Sequence, residues 1–139
     1  MRRLLIAALC IIAGPAMAEV TTAQVKDEIA NRVNYFAHLK TEQGDDDQMI
    51  TLACLADGTF VIETGDEFGN ADLEAKVDDG EILSGNRVLW QWDPKSPFLT
   101  LLREGSSLII KKDGGLRSFR YNLAGIGPAL DPFKAQCGV

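Results

Sequence analysis

Three cysteines, Cys10, Cys54 and Cys137, have the clearest chemical potential in this sequence. A thiol can form a disulfide, bind a metal or act as a nucleophile. No cluster of companion metal ligands accompanies Cys54 and Cys137, and the sequence has no C-x-x-C redox pair. In an exported protein, we expect these two residues to form a disulfide. Two free thiols, or a bond to a partner protein, are the alternatives.

Other residue types that support catalysis form no recognisable pattern. The chain has one histidine, His38, and a Ser-His-Asp triad would have to use it, yet no G-x-S-x-G motif is present. A pair of carboxylates can hydrolyse a glycan, but the chain has 20 Asp and Glu residues and the sequence distinguishes no pair among them. We therefore predict no catalytic residue, no metal and no cofactor, and we predict that the protein is not an enzyme.

The first residues have the organisation of a secretory signal peptide. Arg2 and Arg3 precede an apolar run over residues 4–13. Ala16-Met17-Ala18 then has the A-x-A pattern of a signal-peptide cleavage site. This order predicts cleavage after Ala18, which would remove Cys10 and leave an even pair of cysteines. A membrane anchor is disfavoured because the run is too short to span a bilayer. A lipoprotein cut before Cys10 is the other alternative. We therefore expect a periplasmic or secreted protein.

Residues 19–139 have the length of a single domain. The formal net charge of the whole chain is −6, and loss of the two arginines makes it more negative. Such a domain is not expected to bind nucleic acid or an anionic membrane by electrostatics. No later apolar run is long enough to cross a membrane. We divide the domain into a helix and acidic loop over residues 19–47 and a β-rich core over residues 48–139.

The segment after the signal has the pattern of an amphipathic helix. Thr21 and Gln24 have the spacing of a capping box, and Val25, Ile29, Val33 and Phe36 form an apolar stripe. These features predict a helix over residues 22–40 that packs on the sheet of the same domain. A docking helix for a partner is the alternative. The acidic run at residues 45–47 lacks the spacing of a calcium loop and indicates a solvated turn.

The remaining sequence is mostly typical of β-structure. Asp57-Gly58 and Asp113-Gly114 each separate two strand-like runs, which predicts two hairpins. Ser96 to Gly105 predicts a short capped helix, and a second short helix precedes Cys137, where Pro132 should interrupt it. The predicted fold class is α+β, with an N-terminal amphipathic helix, a mostly antiparallel β-sheet or sandwich, two short helices and one disulfide.

From Met49 onward the chain resembles the VasI/TagO family of periplasmic accessory proteins associated with type VI secretion. The resemblance rests on the order of "ITLACL", "FVIETGDEFG", "LEAKVDDGEI", "VLWQW", "PFLTLLREGSSLII" and "FRYNLAGIGPALDPFKAQCG". It covers residues 49–139 and implies a periplasmic protein that acts by protein–protein contact. The resemblance implies structural roles for the matching positions: Cys54, Gly69, Asp79, Gly80, Trp90, Phe98, Leu99, Leu102, Gly105, Leu108, Phe119, Leu123, Gly125, Ala129, Leu130 and Cys137.

The chain departs from the family by lacking extra N-terminal cysteines and by having Pro132 in the last helix. Invasion-associated envelope proteins of the IalB type have a similar closing pattern. The resemblance to the VasI/TagO family implies that the partner is an envelope or secretion-system protein. A small periplasmic inhibitor or binder of a cell-wall hydrolase is the alternative function, and a hydrolase with an unrecognised carboxylate pair ranks lowest.

The loop "GDEFGN" is the candidate partner-binding loop, with Asp66, Phe68 and Asn70 as its site residues. An exposed aromatic ring among small polar residues can anchor a partner. Inward packing of Phe68 is the alternative. Trp90 and Trp92 share a face with Val88, so we expect them to lie in the core; stacking on a sugar or a partner is the other interpretation.

Overall fold

The structure is a computed structural model that describes residues 20–69, 71–86 and 98–139. The predicted signal peptide, Asn70 and the segment with Trp90 and Trp92 lie outside the described residues. Among the described helices, none has the length and apolar character needed to cross a membrane.

Two four-stranded antiparallel sheets form the framework. The first sheet has the strand order β1-β2-β3-β4, and the second has the order β6-β5-β7-β8. The strands are β1 (Thr21–Asp27), β2 (Arg32–Leu39), β3 (Ile50–Cys54), β4 (Phe60–Thr64), β5 (Asp72–Val77), β6 (Leu83–Asn86), β7 (Ser107–Lys112) and β8 (Ser118–Asn122). The helices are α1 (Phe98–Glu104) and α2 (Ile126–Cys137), and two 3-10 turns span Asp46–Gln48 and Asp66–Phe68.

The segment predicted as a helix over residues 22–40 is instead the β1–β2 hairpin. The helical stripe does not exist in the fold, because Val25 is 54% exposed and Ile29, at the hairpin turn, is 100% exposed. Asp27 ends β1 by accepting hydrogen bonds from the main-chain N–H groups of Ile29 and Ala30. β2 also pairs with β3, so tertiary pairing overrides a helical pattern that looked consistent locally.

The inner faces of both sheets and the two helices contribute to one buried apolar cluster. In β2 the buried residues Ala37 and Leu39 alternate with outward-facing ones, which is the period of a half-buried strand. Phe60 of β4 meets Phe133 of α2 edge to face, with ring centroids 6.1 Å apart. The two short helices and the antiparallel sheets predicted from the sequence are therefore confirmed.

The predicted hairpins are also confirmed. Residues 55–59 join β3 to β4, and residues 113–117 join β7 to β8. Gly105 follows α1 directly, and a Cβ at this position would lie 2.3 Å from Cγ1 of Val77. Such a separation is sterically forbidden, so glycine lets α1 end against the second sheet.

The prediction that Pro132 interrupts the last helix is corrected by the structure, because α2 continues through this residue to Cys137. Proline removes one helical hydrogen bond and disfavours a helix interior. Leu130 and Phe133, which lie on either side of it, are buried in the core and hold the helix against the sheets.

The Cys54–Cys137 disulfide predicted from the sequence is present, with the two Cα atoms 6.0 Å apart. It joins the end of β3 to the last residue of α2. The side-chain amide of Gln136 adds hydrogen bonds to the main-chain oxygens of Val33, at 2.8 Å, and Leu55, at 2.9 Å. The segment that ends the chain is therefore fixed to the first sheet by covalent and polar contacts.

Candidate functional site

His38 is half-buried on the outer face of β2. Its Nδ1 lies 3.0 Å from the hydroxyl of Thr51 on the neighbouring strand. Partial burial, and then the nearby positive charge of Lys40, lower the pKa of His38 below its usual value. Among the described residues, no group of three His, Cys, Asp or Glu side chains is arranged to hold a metal ion.

The candidate loop does not present an aromatic anchor. Phe68 is only 1% exposed, and its ring packs edge to face against Phe119 of β8, with centroids 5.4 Å apart. The alternative of inward packing therefore describes Phe68 correctly. Asp66 is exposed, while Asn70 lies outside the described residues. The reason is local: Phe68 ends a 3-10 turn that directs its ring towards the second sheet.

The two 3-10 turns lie side by side and bring acidic residues together. The main-chain N–H of Gly65 donates to the main-chain oxygen of Met49 at 2.8 Å. A Cβ at Gly65 would lie 2.1 Å from the main-chain oxygen of Asp47, so only glycine permits this approach. We define the acidic patch as Asp46, Asp47, Asp66 and Glu67.

Most of the acidic patch is solvent-accessible. Asp46, Asp47 and Asp66 are exposed, and Glu67 is half-buried. Lys40 forms one ion pair with Asp46 at 3.7 Å, and the Asp46 side chain remains 82% exposed. A surface ion pair of this kind is weak, so the patch keeps a negative character that suits a basic partner. Sequence reasoning assigned the two acidic segments to separate loops and did not bring them together.

The outer face of the first sheet has an apolar row that crosses all its strands. Ala23, Phe36, Ala53 and Val61 lie directly opposite one another in the register of β1, β2, β3 and β4. We call this row the outer strip. Ala23 is exposed, Phe36 and Val61 are half-buried, and Ala53 is buried. Directly opposed residues are in side-chain contact range, so the outer strip is a continuous apolar row in which Ala23, Phe36 and Val61 reach solvent.

A polar row lies beside the outer strip on the same face. It consists of Thr21, His38, Thr51 and Glu63, which are also opposite one another. The rings of Phe36 and His38 are parallel, with centroids 6.3 Å apart, and link the two rows. An apolar strip with a polar margin has the composition of a protein-binding surface.

The outer face of the second sheet has a different character. Glu74 of β5 pairs with Lys111 of β7 at 3.1 Å. In the next row of this face, Ile109 of β7 lies opposite Lys76 of β5 on one side and Arg120 of β8 on the other. The single apolar residue of the row is therefore flanked by two charged residues. This arrangement is typical of a solvated sheet face. The contrast distinguishes the outer strip as the apolar outer surface among the described strands.

Sequence reasoning missed the outer strip because it assigned Phe36 to the apolar stripe of a helix. The relevant signal was the alternation of Tyr35, Ala37 and Leu39 with Asn34, Phe36 and His38 in "NYFAHL". This period of two predicts a strand with Phe36 facing away from Leu39. The capping-box spacing of Thr21 and Gln24 favoured a helix over this strand.

No family model matches the chain, and no curated protein or solved structure is significantly similar to it.

Proposed function

We propose that this protein is an exported accessory protein that acts by contact with another protein of the cell envelope. The observation that carries the proposal is the outer strip, an apolar and partly exposed row on the outer face of the first sheet. Apolar rows on solvent-facing sheets are unfavourable for an isolated domain, and burial against a partner removes that cost. The role is of the kind implied by the resemblance to type VI secretion-associated proteins.

The disulfide supports the exported location. Disulfides persist in the periplasm and other oxidising compartments and are rare in the cytosol. The Cys54–Cys137 bond closes a loop with a sequence separation of 83 and joins distant parts of the core. Together with the predicted signal peptide, it favours a working site outside the cytosol, in the periplasm or beyond it.

A flat sheet face fits a protein partner better than a small molecule. Small ligands are usually bound in concave sites with a few convergent polar groups. The outer strip instead extends across four strands with a polar row along one side. We therefore place the contact with the partner on this face and propose neither a cofactor nor a catalytic step for the protein.

A crosslinked pull-down from periplasm tests this function. The wild-type protein should capture a defined partner, and Val61→Glu should reduce the capture because it places a carboxylate in the outer strip. Ile109→Glu is the matched control, since Ile109 is also half-buried but lies on the outer face of the second sheet. Circular dichroism should show that both variants are folded. Equal capture by both variants contradicts the proposed contact surface.

The identity of the neighbouring genes tests whether the protein has a role in type VI secretion. Sheath and baseplate genes in the same cluster would support an accessory role in that system. Their absence would leave an envelope-binding protein without a link to secretion.

The acidic patch favours a second candidate function, inhibition or binding of a cell-wall hydrolase. The exposed carboxylates of Asp47 and Asp66 would face a basic enzyme surface, and such contacts weaken as salt increases. Inhibition of lysozyme and other wall hydrolases should then be measurable and should decrease in the Asp47→Asn/Asp66→Asn variant. Absence of inhibition at micromolar protein would count against this function.

A further inference from the structure

The free edge of β1 is a main-chain edge whose residues are almost all exposed. β1 is the first strand in the order of its sheet and pairs only with β2 among the described strands. Six of its seven residues are exposed, so side chains on both of its faces reach solvent. An unpaired strand edge presents N–H and C=O groups that can pair with another strand.

β1 has few of the features by which proteins usually protect such an edge, and its charges are confined to one end. Its sequence, TTAQVKD, contains no proline. Its register with β2 is unbroken from Thr21 to Asp27, so the strand has no bulge. The charged residues Lys26 and Asp27 stand together at one end, which leaves five consecutive uncharged residues. Edge strands that avoid pairing commonly have a charge, proline or bulge within this length.

The other described edges differ from β1. β4 has five residues and places Glu63 within its length. β6 has four residues. β8 has Arg120 within its length, and Thr41 makes an isolated bridge to Tyr121 along it. β1 therefore has the longest uncharged run of any edge among the described strands.

We propose that β1 pairs with β1 of a second copy of this chain, antiparallel and centred on Gln24. In this register Gln24 faces Gln24 of the second copy, and Ala23 faces Val25. Lys26 faces Thr22 and Asp27 faces Thr21, so no like charges are opposed. All seven residues of the strand are paired, and the two first sheets become one continuous sheet.

The pairing also covers an exposed apolar residue. Val25 is 54% exposed, and it lies on the outer face with Ala23. In the proposed register, Val25 of one copy contacts Ala23 of the other, and Ala23 is the first residue of the outer strip. Cross-strand apolar pairs of this kind stabilise sheets. The outer strips of the two copies therefore end on opposite sides of the two-fold axis, each against Val25 of the other copy, and this inference does not rest on the proposed function.

Introduction of charges at Gln24 tests the proposed register between the two β1 strands. The protein purified after export should sediment as a dimer in analytical ultracentrifugation at about 0.15 M salt, where exposed charges beyond about 8 Å are screened. Gln24→Glu and Gln24→Lys should each weaken self-association by about fivefold, because each opposes two like charges. A mixture of the two variants should restore the dimer, because it pairs opposite charges.

Four results would overturn the proposal. The first is a wild-type protein that remains monomeric up to about 1 mM, since a dissociation constant above that concentration describes a very weak complex. In the second, the single variants would dimerise as well as the wild type. In the third, the mixture would fail to restore a dimer that both variants had lost. Gln24 is exposed, so the variants should fold, which circular dichroism checks. Capture of a strand of another protein by a monomeric wild type would likewise exclude a second copy as the occupant.

Discussion

The hydroxyl of Tyr121 donates a hydrogen bond to the main-chain oxygen of Gln48 and thereby joins β8 of the second sheet to the turn before β3. Both residues are buried, and Thr41 completes the contact with a hydrogen bond to the Gln48 side chain at 3.1 Å. Burial raises the pKa of Tyr121, so the phenol keeps its proton and remains a donor. The two sheets are thus joined by a polar contact within an otherwise apolar core.

Removal of this hydroxyl should destabilise the protein. Tyr121→Phe leaves a buried main-chain oxygen without its donor, which costs about 1–3 kcal/mol. Urea unfolding followed by circular dichroism measures the change. Tyr35→Phe is the control, since the Tyr35 hydroxyl makes no hydrogen bond within the described residues and its loss should change stability little. Equal effects of the two variants would show that the Tyr121 contact does not stabilise the fold.

Loss of the disulfide should have a larger effect. For a loop of this length, the chain-entropy model gives about 4–5 kcal/mol, which is comparable with the whole stability of many domains. The Cys54→Ala/Cys137→Ala variant should therefore unfold at much lower urea than the wild type. Reductant should lower the wild-type midpoint to that of the variant and leave the variant unchanged. A midpoint insensitive to reductant in the wild type would contradict this account.

A methyl group at Gly105 should not be accommodated. Gly105→Ala would place a Cβ 2.3 Å from Val77 and 2.9 Å from the main-chain oxygen of Leu101. Overpacking of this kind typically costs about 1–3 kcal/mol. Gly127→Ala is the matched control, because Gly127 is in α2 and an added Cβ would meet no atom within 4 Å outside the adjoining residues and backbone of its own helix. It should be neutral or slightly stabilising. The difference in urea midpoint between the two variants is the measurement.

His38 should make stability depend on pH. Its pKa is lowered in the folded state, first by burial and then by Lys40. The unfolded chain therefore binds a proton more readily, with a pKa of about 6.5. This contribution to stability is fully present above that value and decreases as the pH falls through it towards the lower folded pKa.

The wild type should accordingly lose more stability between pH 7.5 and pH 5 than the His38→Gln variant. Urea midpoints of both proteins at several pH values test this difference, and the carboxylates common to both cancel in the comparison. Parallel pH curves for the two proteins would show that His38 titrates alike in the folded and unfolded states.

Local patterns were sufficient to predict much of the β-structure. The Asp57-Gly58 and Asp113-Gly114 turns have residue types that specify hairpins, and the strand over Asp72–Val77 alternates strictly. The disulfide was predictable because cleavage after Ala18 would leave two cysteines. The hairpins and the strand depend on residues that are close in sequence, and the disulfide depends on the number of cysteines, so all of them can be predicted from the sequence.

The acidic patch and the outer strip were not predictable because they depend on pairings between distant segments. The acidic patch requires Gly65 to lie against Asp47, and the outer strip requires the register of four strands. The strand β2 was mistaken for part of a helix because Val25, Ile29 and Val33 have helical spacing by chance. Its pairing with β3 decides the structure, and a local pattern contains no information about that partner.

Photocrosslinking in the periplasm tests the central claim, contact with a partner through the outer strip, most directly. A photoreactive phenylalanine analogue at Val61 should give one reproducible crosslinked product with an envelope protein, and the same analogue at Ile109 should give none. A product from Ile109 and none from Val61, with both proteins folded, would contradict the account.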